Sequence, residues 1–411
     1  MKKAVVFTLG CKVNEVESAS IIGGLRARGY DVSAKLKKAD LYVLNTCAVT
    51  AEAEKKSRQL IARARKFNPS AKIIVCGCAS EKNAEAFEKK EGVVLVTGAQ
   101  SKSRIFAHLD EEGVRIEGDE GYDELPMPAA VKTRHFVKIQ DGCNNFCTYC
   151  IVPYLRGRSR SRSLESIVDE VRKAEAEETV LTGIDISSYN DGGKRLPALL
   201  TALKEVPTRI RLGSLEVNVI TEELLQEAGG MPDFAPHFHL SLQSGSTAVL
   251  KRMNRHYTRE EYLEKCKMIY RYFPDAAITT DIIVGFPGES EADFEESLSI
   301  VREAGFAQIH AFVYSPREGT AAAKMEQLPP AIKEERKERL LRAAEACHAD
   351  YCNRFLGKVL EFVPETYAEG KTYGYTENYI RVAVKGEVTA KCRVRLIEKS
   401  KDLCIGEIEN G

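Results

Sequence analysis

The sequence predicts an α/β protein in three parts: a doubly wound amino-terminal domain, a central set of six strand–helix units, and a short strand-rich tail. Three observations lead there. Over residues 1–117, apolar runs of strand length alternate with helical stretches, the pattern of a parallel sheet covered on both faces. From 134 to 350 that alternation recurs six times and closes on a long charged helix. From 351 to 411 the chain turns to short strands with Gly-containing turns. At 411 residues and 44% hydrophobic content, it exceeds one core and has ample material for several.

The elements follow in order. Strand patterns Ala4-Val5-Val6-Phe7, Leu41-Tyr42-Val43-Leu44 and Ile73-Ile74-Val75 are each followed by a helix-like stretch. The helix after Cys11 carries Val16, Ala19, Ile22 and Leu25 at near-helical spacing. Stretches 55–66 and 81–90 read as charged, exposed helices. Residues 118–133 are acidic and Pro-containing (Asp119, Glu120, Asp123, Glu124, Pro126, Pro128) and read as a linker. Central strands are expected at 135–140, 178–182, 209–215, 237–242, 277–284 and 308–314. The helix 329–355 should pack through Leu340, Leu341, Ala344 and Tyr351. In the tail, turns are expected at Glu369-Gly370, Tyr373-Gly374 and Lys385-Gly386.

Two sets of cysteines carry the chemistry. Cys143, Cys147 and Cys150 form a C-x3-C-x2-C array. Three thiolates so placed can bind three irons of a 4Fe–4S cluster and leave the fourth iron open to a ligand. A structural zinc knot would need a fourth Cys or His at ligand spacing, and none follows. Upstream, Cys11, Cys47 and Cys78 each follow a strand pattern. Strand carboxyl ends share one edge of a parallel sheet, so these three can meet as a second three-thiolate site. Cys76 lies two residues before Cys78, on the same face of an extended strand, so alternation alone does not choose between them. Cys266, Cys347, Cys352, Cys392 and Cys404 have no cluster spacing and read as packing residues.

The segments TLGCKVN, NTCAVT, CGCAS and QDGCNNFCTYCIVPYLRGRSRSR, followed by HLSLQSG, LKRMNRHYT, DIIVGFPGE and YSPREGT, resemble motifs of the radical S-adenosylmethionine (SAM) methylthiotransferases, in family order over nearly the whole chain. GCKVN and the arginine-rich IVPYLRGRSRSR look most like the branch that modifies threonylcarbamoyladenosine beside the tRNA anticodon. The resemblance implies an open partial barrel for the central part and a small β-barrel RNA-binding module (TRAM) for the tail. It implies two 4Fe–4S clusters, on Cys11, Cys47 and Cys78 and on Cys143, Cys147 and Cys150, the second cleaving SAM. Tyr149, before the last cysteine, also fits that family. Strand-end positions implied to contact SAM are Gly183 and Asp185, Ser214 and Glu216, Gln243, and Gly285. Arg255 faces either the SAM carboxylate or solvent.

Arg156, Arg158, Arg160 and Arg162 alternate, and in an extended segment would form one row, either gripping RNA phosphates or making structural ion pairs. In the tail, Lys391, Arg393 and Arg395 alternate similarly, with Tyr373, Tyr375 and Tyr379 as base-stacking faces, and form either an RNA grip or a solvated strand face with a small aromatic core. His237 and His239 read as barrel-core or rim residues. The formal net charge is zero, so RNA contact must come from local patches. No apolar run approaches a membrane span and no secretory pattern opens the sequence, which predicts a cytoplasmic protein with no membrane partner. The implied reaction places a methylthio group on C2 of threonylcarbamoyladenosine in tRNA. It calls for a reductant such as flavodoxin or ferredoxin and for a sulfur donor. Methylthiolation of isopentenyladenosine or of a ribosomal-protein aspartate is the nearest alternative. A non-catalytic Fe–S RNA-binding protein is the alternative from another class.

Overall fold

The computed structural model describes residues 1–48, 51–116, 121–128 and 133–409. Strands β1 (Lys3–Thr8), β2 (Asp31–Ser33), β3 (Leu41–Thr46), β4 (Lys72–Gly77), β5 (Val93–Thr97) and β6 (Gly113–Arg115) form one parallel sheet in the order β2-β1-β3-β4-β5-β6. The strands are apolar on both faces because each face has its own core. Val5, Leu44, Ile73 and Val75 pack on one side with Leu60 and Ile61. Val6, Val43, Ile74 and Cys76 pack on the other with Ile21 and Leu25. The strand order reverses between β1 and β3, and Cys11 and Cys47 follow those two strands. They therefore flank the crevice where doubly wound sheets bind ligands.

The central part is an open, partial barrel. Strands β7 (Arg134–Asp141), β8 (Arg160–Ser161), β9 (Glu178–Gly183) and β10 (Arg209–Leu212) form one four-stranded sheet, in the order β10-β9-β7-β8. Strands β11 (Ser214–Leu215), β12 (His237–Leu240), β13 (Ala277–Val284) and β14 (Gln308–Val313) form the next. Strand three of the barrel is thus broken at Gly213, its lower piece pairing with β9 and its upper piece with β12. Capping boxes at Thr258/Glu261 and Ser290/Asp293 start two of the outer helices. The long helix runs Pro330–Asn353. Leu340, Ala344 and Tyr351 are buried as expected, but Leu341 is 39% exposed and Lys333 and Arg336 are buried instead. Arg336 is drawn inward by the Glu289 carboxylate at 2.7 Å, which the apolar pattern could not signal.

The tail is a closed five-stranded barrel, β15 (Val359–Ala368), β16 (Lys371–Thr376), β17 (Arg381–Lys385), β18 (Cys392–Ser400) and β19 (Leu403–Ile408). Tyr373-Gly374 is not a turn, as expected from sequence, but lies inside β16. A side chain at Gly374 would meet the Val363 carbonyl at 2.1 Å, so the glycine marks close backbone approach. This barrel packs under the amino ends of the central strands, where Arg209 pairs with Glu361 and Lys391 with Asp233. Of the expected linker, 118–120 and 129–132 lie outside the described residues. The described part is no solvated connector: Asp123 accepts the backbone N–H groups of Lys102 (2.8 Å) and Ser103 (3.2 Å), and Tyr122 donates to the Lys138 carbonyl. Among the described residues, no helix is long and apolar enough to cross a membrane.

Candidate active site

Gly10-Cys11, Gly77-Cys78 and Gly142-Cys143 each present a cysteine after a glycine of positive φ (+111°, +102° and +71°). At Gly77 a side chain would meet the Thr46 carbonyl at 2.4 Å. The chain turns sharply there, and Cys78 opens the short helix Cys78–Lys82. This turn separates Cys76 from Cys78. They do not share a face, as an uninterrupted strand would require. Cys76 points into the core beside Ile74, whereas Cys78 faces a cavity with Cys11 and Cys47. Asn14, in the first turn of the helix Lys12–Ala27, ties the site together by donating to the Leu9 carbonyl (2.7 Å) and the Thr46 carbonyl (3.0 Å).

Cys143, Cys147 and Cys150 lie in the loop after β7 and open onto the same cavity, of about 800 Å³. Two residue sets 65 or more positions apart in sequence thus meet in one chamber. Arg255 donates to Cys147 Sγ (3.4 Å), the Ser241 carbonyl (3.0 Å), the Tyr257 hydroxyl (3.0 Å) and Glu216. It is only 8% exposed, so the solvent alternative is wrong. The Asn145 N–H donates to Cys143 Sγ at 3.4 Å. Burial pushes the Cys143 and Cys150 thiols up to about 12, so metal ligation must displace their protons. A single zinc ion would draw three thiolates to about 3.8 Å of one another. Among the described residues, His239, Asp281 and His310 are the only group of three or more His, Cys, Asp or Glu whose ligand atoms all lie within 4.8 Å of one another. Wider-set thiolates suit a cluster, whose irons occupy separate corners.

Tyr149, Gly183, Asp185, Ser214, Glu216, Gln243 and Arg255 all line this cavity. Asp185, Glu216 and Arg255 also border an adjoining cavity of about 670 Å³ at the barrel rim. Burial raises the Asp185 and Glu216 carboxyls, and Arg255 opposes that in both. Gly285 is a correction. It is absent from the cavity wall, lies against Lys333, and donates its N–H to Glu289 at 2.8 Å. The arginine row is another. Arg156 ends the helix Val152–Arg156 and is buried, and Arg162 pairs with Glu124 and Glu170. Arg160 donates to Gln100 and two backbone carbonyls, and Arg158 lies over Phe146. Helix and turn geometry sends the four in different directions. In the tail, Lys391 pairs with Asp233 and Arg395 with Glu409, while Arg393 is exposed. Tyr375 and Tyr379 stack 4.7 Å apart and floor the central cavity.

A buried ionic network joins the two cysteine sites, and the sequence reading missed it. Glu17 accepts from Lys102, Lys138 (2.7 Å) and Arg156 (3.1 and 3.2 Å). Asp141, two residues before Cys143, accepts from Lys138 (2.7 Å) and Arg156 (3.0 Å). Arg156 also donates to Asn14 at 2.6 Å. Directly paired are three cations and two anions; the surplus positive charge lies beside Cys78, whose thiol Arg156 and Lys102 pull down against the burial that raises it. The available signal was Glu17 on a helix otherwise lined by Val13, Val16 and Ile21.

The chain matches the radical SAM superfamily over residues 137–301 and the family described as uncharacterized protein family UPF0004 over residues 3–98. It is 38% identical, over 94% of this chain and 91% of the relative, to threonylcarbamoyladenosine tRNA methylthiotransferase MtaB of Bacillus subtilis (strain 168). The chain belongs to the radical SAM methylthiotransferases, on their MtaB-like branch. It is also 36% identical, over 98% of this chain and 92% of the relative, to tRNA-2-methylthio-N(6)-dimethylallyladenosine synthase of Caldicellulosiruptor saccharolyticus. Its fold resembles the radical SAM methyltransferase TsrM from Kitasatospora setae, with TM-score 0.59 at 13% identity over 78% of this chain and 76% of that one. Membership makes it a tRNA methylthiotransferase, an enzyme using SAM and 4Fe–4S clusters.

Proposed function

We propose that this enzyme places a methylthio group on C2 of threonylcarbamoyladenosine beside the anticodon of tRNA. One observation carries the chemistry: two three-cysteine sites open onto a single cavity. Cys143, Cys147 and Cys150 would hold one cluster and Cys11, Cys47 and Cys78 the other, each leaving an iron open. Bound there, clusters and SAM supply one-electron chemistry and a methylthio source, which an aromatic C–H without an acidic proton requires. The chain's own residues orient and shield. Arg255 offsets negative charge at Cys147. Asp185, buried, and Glu216, half-buried at the wall, are placed to accept from the SAM amine. The stacked Tyr375 and Tyr379 close the floor against water.

The base assignment draws on the MtaB relatives, whose names specify threonylcarbamoyladenosine. The dimethylallyladenosine synthases are nearly as similar and define the second reading. The tail barrel serves as the TRAM-like RNA module, and a flavodoxin or ferredoxin and a separate sulfur donor supply electrons and sulfur in the cytoplasm. Mass spectrometry of nucleosides from tRNA of a deletion strain tests the assignment. Loss of 2-methylthio-threonylcarbamoyladenosine supports it. Loss of the methylthio group from dimethylallyladenosine alone overturns it.

A further inference from the structure

The shared cavity does not end at the cysteines. It continues down the barrel lumen, where its wall is polar. Arg211 stands on β10 two residues below the break at Gly213, roughly 7 Å along the strand. It is 3% exposed. Its Nε and Nη2 donate to Glu178, both at 2.9 Å, and Nη2 also approaches the Thr376 carbonyl at 3.5 Å. Nη1 has no hydrogen-bond partner among the described residues. A buried guanidinium N–H without an acceptor, on a residue that lines a cavity, is costly unless a ligand supplies one. The neighbouring Arg134 Nη2 and His237 Nδ1 are unpartnered in the same way.

Acceptors and a further donor line the same cavity. Asp281 takes one bond from His239 Nε2 at 3.2 Å and is 27% exposed to the chamber. His239 is fixed through Nδ1 by Thr279 at 3.0 Å, and the His310 ring lies 6.0 Å from it. The other carboxylate on the floor, Glu365, is held by Arg134. Adenine chemistry links this wall to the cysteines. C2 and the N6 amino group lie on one edge of the base, opposite the ribose. A base that presents C2 to the cysteine sites therefore carries its N6 substituent into the cavity too.

We propose that the lumen wall formed by Arg211, Asp281 and His310 is the specificity-determining subsite for an N6 substituent bearing an amino-acid carboxylate. Arg211 Nη1 donates to the carboxylate, His310 donates beside it, and Asp281 accepts from a ureido N–H or the hydroxyl. This rests on the reading that threonylcarbamoyladenosine is the substrate. A dimethylallyl group offers neither donor nor acceptor and would leave Arg211 Nη1 without a partner. Sites built to hydrogen-bond a substrate reject analogues lacking the group by roughly 10⁴–10⁵-fold.

The test uses the full-length, anaerobically reconstituted enzyme with anticodon stem-loop RNAs carrying threonylcarbamoyladenosine, its carboxamide analogue, or dimethylallyladenosine. The readout is kcat/KM for the methylthio product. Wild type should favour the acid over the amide by about 10³-fold or more. Arg211→Gln should reduce that ratio to below about tenfold, chiefly through KM for the acid. His310→Phe, which breaks no ion pair, should reduce it by about ten- to a hundredfold with iron content and melting temperature unchanged. Should Arg211→Gln not fold, the acid-to-amide ratio of wild type and His310→Phe decides. Equal rates on acid and amide would overturn the subsite while leaving the substrate reading intact. Turnover of the dimethylallyl RNA alone would overturn both. A stoichiometric non-iron metal lost in His310→Phe would reassign the cluster as a metal site and overturn the subsite.

Discussion

Replacing Glu17 by Gln should be the most damaging single change outside the cysteines. The carboxylate is 1% exposed and faces Lys102, Lys138 and Arg156. Glu17→Gln leaves those three cations around one anion, Asp141. Removing one member of a buried ionic group so that charge is left uncompensated costs about 3–5 kcal/mol. Arg156→Met provides the contrast. It leaves Lys102 and Lys138 against Glu17 and Asp141, two charges of each sign, so the loss is mainly that of charge-assisted hydrogen bonds, about 1–3 kcal/mol. Hydrogen exchange of the helix Lys12–Ala27 in reconstituted protein reads the local opening energy directly. Glu17→Gln should lower protection more than Arg156→Met does. A Glu17→Gln effect equal to or smaller than that of Arg156→Met would refute the charge argument. The pH dependence has a definite sign. Burial alone would raise the Glu17 carboxyl, but Arg156, Lys102 and Lys138 overcome it and hold it well below its ordinary 4.5. A depressed folded value stabilises above the unfolded one and is lost as pH falls through the folded one. Wild-type protection should therefore fall as pH drops below about 4.5, and Glu17→Gln should remove this contribution.

Further outcomes follow from single residues. Gly77→Ala puts a Cβ 2.4 Å from the Thr46 carbonyl at positive φ, so it should lose the amino-terminal cluster, halving iron per chain while the Cys143 site keeps its own. Cys78→Ala should lose that same cluster and Cys76→Ala should keep it, as measured by iron content and electron paramagnetic resonance; the reverse would show the ligand assignment wrong. Arg255→Gln removes a cation 3.4 Å from Cys147 Sγ, so the midpoint potential of that cluster should become more negative and SAM cleavage slower, while an unchanged potential would deny Arg255 that role.

Much of the fold was legible because its elements are regular. The six expected central strands were placed within two residues because apolar residues alternate or run between turn signals, whereas the two-residue β8 and the break at Gly213 carried no such pattern. The cysteines were legible because ligation restricts spacing and residue type together. What escaped were features set by tertiary contact. Alternation put Arg156 and Arg162 in one row, but Arg156 is claimed by Glu17 and Asp141 and Arg162 by Glu124 and Glu170. Cys76 and Cys78 were inseparable until Gly77 was seen to break the strand. Gly285 had the composition of a ligand loop but turns beneath Lys333. Tyr375 and Tyr379 read either as base-stacking faces or as a small aromatic core, yet they line the central cavity because the tail barrel packs beneath the central one. No local pattern encodes which surface of a closed barrel will be covered.

On the proposed function, both cysteine sites serve one cavity for methylthio transfer to threonylcarbamoyladenosine. The most direct test is a product assay on an anticodon stem-loop carrying that base, comparing wild type with the two triple Cys→Ala variants at 11/47/78 and at 143/147/150. Wild type, with about eight irons, should form the 2-methylthio product. Each variant should retain about half the iron and form none, while the 11/47/78 variant still cleaves SAM. Full methylthio product from the 11/47/78 variant would contradict the account.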